Sequence, residues 1–218
     1  AQIDRKYRED GLKIHLRETS LFRFLPPQQL DRLAQATRLV SFGDREWYSD
    51  YRDVRQLDSR QQITKEPIIC EEGDPANWLV LIRAGFARLS HRMGAGHKTL
   101  AYLSRGQAYG LDELVHNVRS TSEIVPYQTS LRALGFVDVL MIPRLNFVQD
   151  ALPFIRQHEL PPPLTLLRYD AQGPLSSQSQ YRVAPSTEAD PALLEFLVDE
   201  RLINGRQAMV IDTLRCTR

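Results

Sequence analysis

The spacing of apolar residues near the N-terminus predicts two helices. Leu12 and Leu16 lie one helical turn apart among many charged residues, which predicts a first helix over residues 3–19. Two prolines then stand where a second helix would begin, a position at which the missing N–H has no consequence. One face of this second helix is apolar and recurs with helical spacing, and it consists of Leu30, Leu33, Ala34 and Thr37.

From Glu66 to Phe147 the pattern changes to short apolar runs separated by single glycines, which predicts a series of short strands. The run WLVLI at 78–82 is continuously apolar, as expected for a buried strand. HRMGAGHK at 91–98 predicts a hairpin tip, and residues 129–143 predict a last hairpin. A short helix is predicted from Leu111. Turns are predicted at the glycines between the strands, namely Gly73, Gly85, Gly106 and Gly110.

Composition narrows the classes of function. The net charge of +1 gives no global electrostatic case for binding nucleic acid or an anionic membrane, and no apolar run is long enough to span a bilayer. Two cysteines cannot form a disulfide framework, which favours a reducing, cytoplasmic setting. No nucleophile–base–orienter set is visible, and the five histidines lack partners at metal-ligand spacing. The sequence therefore predicts a protein that is not an enzyme.

Polar stretches divide the chain. Residues 43–64 are crowded with Asp, Arg, Gln and Ser, and they predict an insertion of about twenty residues. This insertion is either a surface excursion or a loop that docks a protein partner through Trp47, Tyr48 and Tyr51. Residues 159–190 have the Pro, Ser and Gln content of a linker. Residues 191–218 predict a small helix–strand unit, with Asp190 as the N-cap of its helix.

The ordered glycines, together with Phe147 at the right distance, resemble the cyclic-nucleotide-binding domains of the catabolite activator protein and of kinase regulatory subunits. The resemblance covers roughly residues 12–158. It implies an α+β fold, a double-stranded β-helix or jelly-roll-like β-roll with flanking short helices. Residues 1–40 would supply the N-terminal helices, and residues 41–158 would form the roll with its insertion.

The resemblance also implies a ligand site. In this family a Phe-Gly-Glu motif opens a short helix, its Glu holds the ribose hydroxyl, and a later Arg pairs with the cyclic phosphate. Here Leu111 stands at the position of the Glu, and Tyr127 stands at the position of the Arg. The implied ligand, cyclic AMP or cyclic GMP, would therefore bind weakly. A different small ligand and an empty, structural roll are the alternatives.

Other residues could restore the lost contacts. Asp112 or Glu113 would replace the Glu if the helix began one or two residues later, and Arg119 lies in a stretch about six residues longer than usual. Arg132 is a strand arginine beside the pocket. The implied ligand-binding set is Gly110, Leu111, Asp112, Glu113, Arg119, Tyr127, Thr129, Ser130 and Arg132.

The sequence NGRQAMVIDTLRCTR at 204–218 resembles the start of a bacterial-type ferredoxin domain. Cys216 matches the first cysteine of Cys-x-x-Cys-x-x-Cys. One cysteine cannot hold an iron–sulphur cluster, which needs four thiolates. The resemblance therefore implies that the chain is a piece of a longer redox protein whose cluster lies outside this sequence.

Taken together, these features predict a non-enzymatic regulatory or sensory domain within a larger iron–sulphur protein. One alternative is a scaffold that docks a protein through residues 43–64. The other is a truncated transcription regulator of the catabolite activator type, although no helix-turn-helix with a basic recognition face is visible.

Overall fold

A computed structural model describes residues 2–43, 65–93, 96–120, 124–162 and 164, with the backbone of 169–170 and 173–174. The chain divides into two units, residues 1–175 and 176–218, and every described residue belongs to the first. Residues 44–64 of the predicted insertion, the predicted C-terminal unit and Cys216 lie outside the described residues. None of the helices in the described ranges combines the length and apolar character that crossing a bilayer requires.

Both predicted N-terminal helices are present. Helix α1 spans Gln2–Glu18, a short 3₁₀ turn follows at Ser20–Phe22, and helix α2 spans Pro27–Ala36. The apolar face of α2 is buried as its spacing predicts. Thr37 ends α2, because its hydroxyl donates a hydrogen bond to the Leu33 carbonyl oxygen at 2.7 Å and its own backbone is extended.

Six strands form one antiparallel sheet. The strands are β1 (Arg38–Phe42), β2 (Ile68–Cys70), β3 (Trp78–Met93), β4 (Gly96–Leu103), β5 (Ala108–Tyr109) and β6 (Ser130–Pro143). The order β1-β6-β3-β4 forms the main path, with β2 paired to β6 and β5 paired to β3. Helix α3 (Leu111–Arg119) lies between β5 and β6. Strands wrapped in this way, with short helices on their flanks, confirm the predicted β-roll.

The glycines within the two longest strands act differently from the prediction. β3 runs unbroken through Gly85, and β6 runs unbroken through Gly135, so the predicted short strands and the predicted last hairpin are wrong at these points. Gly85 has a φ of 81° and Gly135 a φ of 70°. The register of β3 against β6 shifts on both sides of Ala84. A positive φ here produces a bulge that bends a continuous strand instead of reversing it.

The core lies between the inner face of the sheet and the helices. Its largest fully buried side chains include Phe22 from the N-terminal helices, Leu79 and Ile142 from the strands, and Phe147 after β6. Four short helical turns follow β6, at Arg144–Asn146, Phe147–Ala151, Leu152–Phe154 and Gln157–Glu159. A minimal strand pair, β7 (Tyr169–Asp170) with β8 (Gly173–Pro174), lies within the predicted linker.

Candidate functional site

Gly110 begins helix α3 in a backbone conformation that only glycine adopts readily. Its φ is 85°, and it precedes the first helical residue, Leu111. A Cβ atom at this position would lie 2.9 Å from the Trp78 carbonyl oxygen and 3.0 Å from Cε1 of Tyr127. The first turn of α3 is therefore pressed against both the start of β3 and the ring of Tyr127.

Tyr127 fills the space beside Gly110. Its side chain is 2% exposed, and its ring centroid lies 5.1 Å from that of Tyr109. The phenol oxygen donates to the Trp78 carbonyl oxygen at 2.7 Å and accepts from the Trp78 N–H at 3.1 Å. Burial raises the pKa of Tyr127, so the phenol stays protonated and neutral. The position predicted for an arginine thus holds a buried, uncharged and fully hydrogen-bonded group.

The backbone of Tyr127 also fixes the predicted turn before β3. The Gly73 N–H donates to the Tyr127 carbonyl oxygen at 2.9 Å, and the Tyr127 N–H donates to the Asp74 carbonyl oxygen at 2.9 Å. This pair of backbone hydrogen bonds joins two segments that are distant in sequence. Tyr127 is therefore anchored at both its backbone and its side chain.

Glu113 is the buried acid of the site. It is 3% exposed, and its Oε1 accepts a hydrogen bond from the Gln128 N–H at 3.0 Å. Burial raises the pKa of Glu113, while the hydrogen bonds from Gln128 and from its own backbone oppose that rise. Its neighbour Asp112 is exposed, and Leu111 is half-buried against the core.

Asn117 lies one helical turn after Glu113 on the same side of α3. Its amide nitrogen donates to the Val125 carbonyl oxygen at 2.8 Å, and its amide oxygen accepts from the Val125 N–H at 2.7 Å. The sequence analysis did not identify Asn117 as a site residue. The available signal was its separation of four residues from Glu113, which places two polar side chains on one helix face.

Arg119 lies at the opposite end of α3 from Gly110. Since α3 has nine residues, the two ends are about 12 Å apart. The Arg119 guanidinium donates to the Pro161 carbonyl oxygen at 3.0 Å and lies 3.5 Å from Oε1 of Gln157. A cavity of about 210 Å³ lies beside it, lined by His116, Arg119, Ser120 and Pro162. The structure does not bring Arg119 to the first turn of the helix.

The remaining predicted site residues, Thr129 just before β6 and Ser130 and Arg132 within it, have separate roles. The Thr129 carbonyl oxygen accepts a hydrogen bond from the Tyr109 hydroxyl, so Thr129 lies beside the buried pair Tyr109 and Tyr127. The Ser130 hydroxyl oxygen accepts from the Glu72 N–H at 3.0 Å. Arg132 follows Leu131, a core residue, and therefore faces the other side of the sheet. There it donates to the Glu66 carbonyl oxygen at 3.3 Å.

A buried ion pair lies beside Arg132, because Arg88 is the residue of β3 that pairs with Arg132 of β6. The Arg88 guanidinium binds both carboxylate oxygens of Glu66, at 2.6 and 3.0 Å, and both side chains are nearly fully buried. Burial raises the pKa of Glu66, and Arg88 opposes the rise. The sequence analysis did not predict this pair, since the two residues are separated by 22 positions and carry no motif. Its geometry is that of a structural clamp between segments of the sheet.

Comparisons with known proteins relate part of the chain to one domain family. Residues 60–149 match the family model of the cyclic nucleotide-binding domain. A search of curated proteins found no match. The family match and the architecture together support the cyclic-nucleotide-binding family, whose domains are regulatory rather than catalytic.

Several solved structures share the fold. The regulatory subunit of a cAMP-independent protein kinase A from Trypanosoma brucei has 17% identity and a TM-score of 0.51, with 68% of this chain and 43% of that chain covered. A mutant of the T. brucei subunit bound to cAMP in the A site has 16% identity and a TM-score of 0.50, covering 68% and 44%. The Trypanosoma cruzi subunit bound to guanosine also has 16% identity and a TM-score of 0.50, covering 68% and 43%. The chain therefore spans less than half the length of these subunits.

Proposed function

We propose that this domain is a regulatory or sensory module of the cyclic-nucleotide-binding type whose own pocket is closed from within. The observation that carries the proposal is the position of Tyr127. Its ring packs under Gly110, and both hydrogen bonds of its phenol oxygen go to the Trp78 peptide groups. A phosphate at this place would have to displace a buried aromatic ring, which stands at the position that the resemblance gives to the arginine.

The expected loss of affinity is large. A hydrogen bond to a charged group contributes about 1.5–3 kcal/mol. Leu111 and Tyr127 replace the two groups that, by resemblance, hold the ribose and the phosphate. Losing both contacts removes about 3–6 kcal/mol, which corresponds to about a hundred- to ten-thousand-fold in affinity. The Glu113 carboxyl adds repulsion for an anion, so cyclic-nucleotide binding is weak in this proposal.

A neutral nucleoside is the second candidate ligand class. Among the described residues no salt bridge joins the Glu113 carboxyl to a cation, so this carboxyl opposes a phosphate but can accept hydrogen bonds from hydroxyl or amino groups. The T. cruzi subunit with this fold is bound to guanosine, which has no phosphate. Because a nucleoside carries no phosphate, it needs no arginine partner and is not repelled by the Glu113 carboxyl.

Calorimetric titration of the chain with cyclic AMP, cyclic GMP and guanosine tests the proposal. We expect no heat from either cyclic nucleotide. Micromolar binding of a cyclic nucleotide would overturn the closed pocket, and its disappearance in Arg119→Ala would show that Arg119 reaches the phosphate. Heat from guanosine alone would establish the second candidate.

The wider role in a redox protein also stays a proposal. It rests on the resemblance of residues 204–218 to the start of a ferredoxin domain. The reading frame of the parent gene tests it, because further cysteines with Cys-x-x-Cys spacing after Cys216 are required. Docking through residues 43–64 is tested by a pull-down in which deletion of that segment removes the partner, and unchanged capture would count against it.

A further inference from the structure

We propose that the Glu113 carboxylate is the internal anion of the α3 cassette, an autoinhibitory contact that occupies the backbone donors an anionic ligand would use. The cassette means here the first turn of α3 together with residues 125–128. This inference rests on the proposed function, since it explains how a closed pocket stays closed. It assigns to Glu113 a role that neither the sequence resemblance nor the fold assigns.

The first step of the argument is the supply of donors. The N–H groups at the start of a helix have no partners within the helix. In α3 the first intrahelical bond runs from the Leu114 N–H to the Gly110 carbonyl oxygen at 3.1 Å. The N–H groups of the three preceding residues, Leu111 to Glu113, therefore point out of the helix start, where negative charge is favoured.

The second step is the occupant of that position. Oε1 of the buried Glu113 carboxyl accepts a hydrogen bond from the Gln128 N–H at 3.0 Å, and this contact lowers the pKa of Glu113, against the rise that burial causes. Among the described residues no salt bridge includes Glu113, and the neighbouring acidic Asp112 raises the pKa of Glu113 beyond the effect of burial. A buried carboxyl without a cation is unfavourable for stability. Its retention at this place is explained by its serving as the anion of the cassette.

The third step is the second clamp on the same helix face. Asn117 pairs with both backbone groups of Val125, three residues before Gln128. Glu113 and Asn117 thus hold both ends of the segment 125–128, and Tyr127 lies between them. The segment is fixed against α3 by the side chains of α3 itself, without a ligand.

Backbone NMR of the full chain with inorganic phosphate as the probe tests the internal anion. The variants are Glu113→Ala and, as a matched control, Asp112→Ala, which removes an exposed carboxylate one residue away. In the wild type and in Asp112→Ala we expect the Gln128 amide to be unmoved by phosphate. In Glu113→Ala we expect saturable shifts of the Gln128 and Leu111 amides, and at least about a tenfold loss of Gln128 amide protection before phosphate is added.

A measurement on the unaltered protein covers the case in which Glu113→Ala does not fold. Beside burial, Asp112 raises the pKa of Glu113, and the Glu113 carboxyl in turn helps burial to raise the pKa values of Cys70, Tyr109 and Tyr127. In an acid titration the Gln128 amide proton should follow the midpoint of the Glu113 carboxyl carbon and not that of Asp112.

The outcomes separate the two proposals. A Gln128 amide that is indifferent to Glu113 ionisation, or a folded Glu113→Ala variant that ignores phosphate, overturns the internal anion and leaves the closed pocket standing. Cyclic-nucleotide binding by the wild type overturns the closed pocket itself.

Discussion

Gly110 is the residue at which steric fit decides the shape of the pocket. Gly106 has nearly the same φ, 84° against 85°, but a Cβ atom at Gly106 would meet nothing within 4 Å. The two residues therefore separate the effect of backbone conformation from the effect of close packing.

We expect Gly110→Ala to destabilise the protein more than Gly106→Ala. Both variants carry the left-handed backbone penalty of about 1–2 kcal/mol, and only Gly110→Ala adds a clash with the Trp78 carbonyl oxygen and the Tyr127 ring. Denaturant unfolding of the two variants measures the difference. Equal losses of stability in the two variants would show that the Trp78 carbonyl oxygen and the Tyr127 ring leave room for a Cβ atom at Gly110.

Tyr127→Phe tests the phenol hydrogen bonds without changing the ring. Removing the hydroxyl leaves the Trp78 N–H and carbonyl oxygen without their partner, which we expect to cost about 1–3 kcal/mol. Tyr102→Phe is the control, because the Tyr102 hydroxyl lies 3.5 Å from the Arg88 guanidinium, at the limit of a hydrogen bond. Thermal unfolding should show a clear loss for the first variant and a small one for the second.

From the sequence alone, one can predict that the family's two ligand-binding residues are replaced by Leu111 and Tyr127. One cannot predict which contacts the replacing side chains make. The position of Tyr127 was readable from its spacing to the following strand. Its bonds to Trp78 were not, because the two residues are separated by 49 positions. The inward direction of Glu113 likewise depends on the Gln128 N–H, which only the folded chain brings near.

At the scale of elements, helices were easier to predict than the extent of strands. The buried face of α2 follows from the spacing of apolar residues within that one segment, and a short helix was predicted from Leu111. Gly85 and Gly135 carry the same local signal as a turn glycine, and only pairing with the neighbouring strand makes each of them a bulge. The continuous β3 and β6 were therefore not readable from the sequence.

The Glu66–Arg88 pair links elements that are not neighbours in the sheet. We expect Glu66→Ala to cost about 3–5 kcal/mol, because it leaves the Arg88 guanidinium buried without a counter-charge. Glu71→Ala is the matched control, since the Glu71–Arg92 pair is exposed and such pairs contribute about 0–1 kcal/mol. Chemical denaturation decides between them, and a Glu66→Ala loss no larger than that of the control would contradict the buried clamp.

At the scale of the whole molecule, the buried acid makes stability depend on pH. The folded-state pKa of Glu113 is raised above its unfolded value, so its contribution to stability is full at acidic pH and is lost as pH rises through the folded pKa. We expect Glu113→Gln to match the wild type near pH 4 and to be the more stable of the two near pH 8. Thermal unfolding at both pH values provides the measurement. A Glu113→Gln variant that is less stable than the wild type near pH 8 would contradict the expected pH dependence.

The overall architecture was predictable because many weak signals agree on it. Apolar runs, glycine positions and the distance to Phe147 all indicate one roll, and the family match over residues 60–149 supports the same reading. The arrangement behind the proposed closed pocket was only partly predictable. It depends on the Trp78 peptide groups of β3, the first turn of α3 and the Tyr127 side chain coming together in the folded chain, and these lie in three separate stretches of sequence.

Trp78 offers an optical test of the proposed closed pocket. Its peptide group holds the Tyr127 hydroxyl, its carbonyl oxygen lies against Gly110, and its indole lies 5.4 Å from the Arg38 guanidinium. The chain has only two tryptophans. Intrinsic fluorescence, with Trp47 replaced by Phe, would therefore come from a single chromophore attached to the cassette. The protein thus carries its own optical reporter of whether the pocket opens.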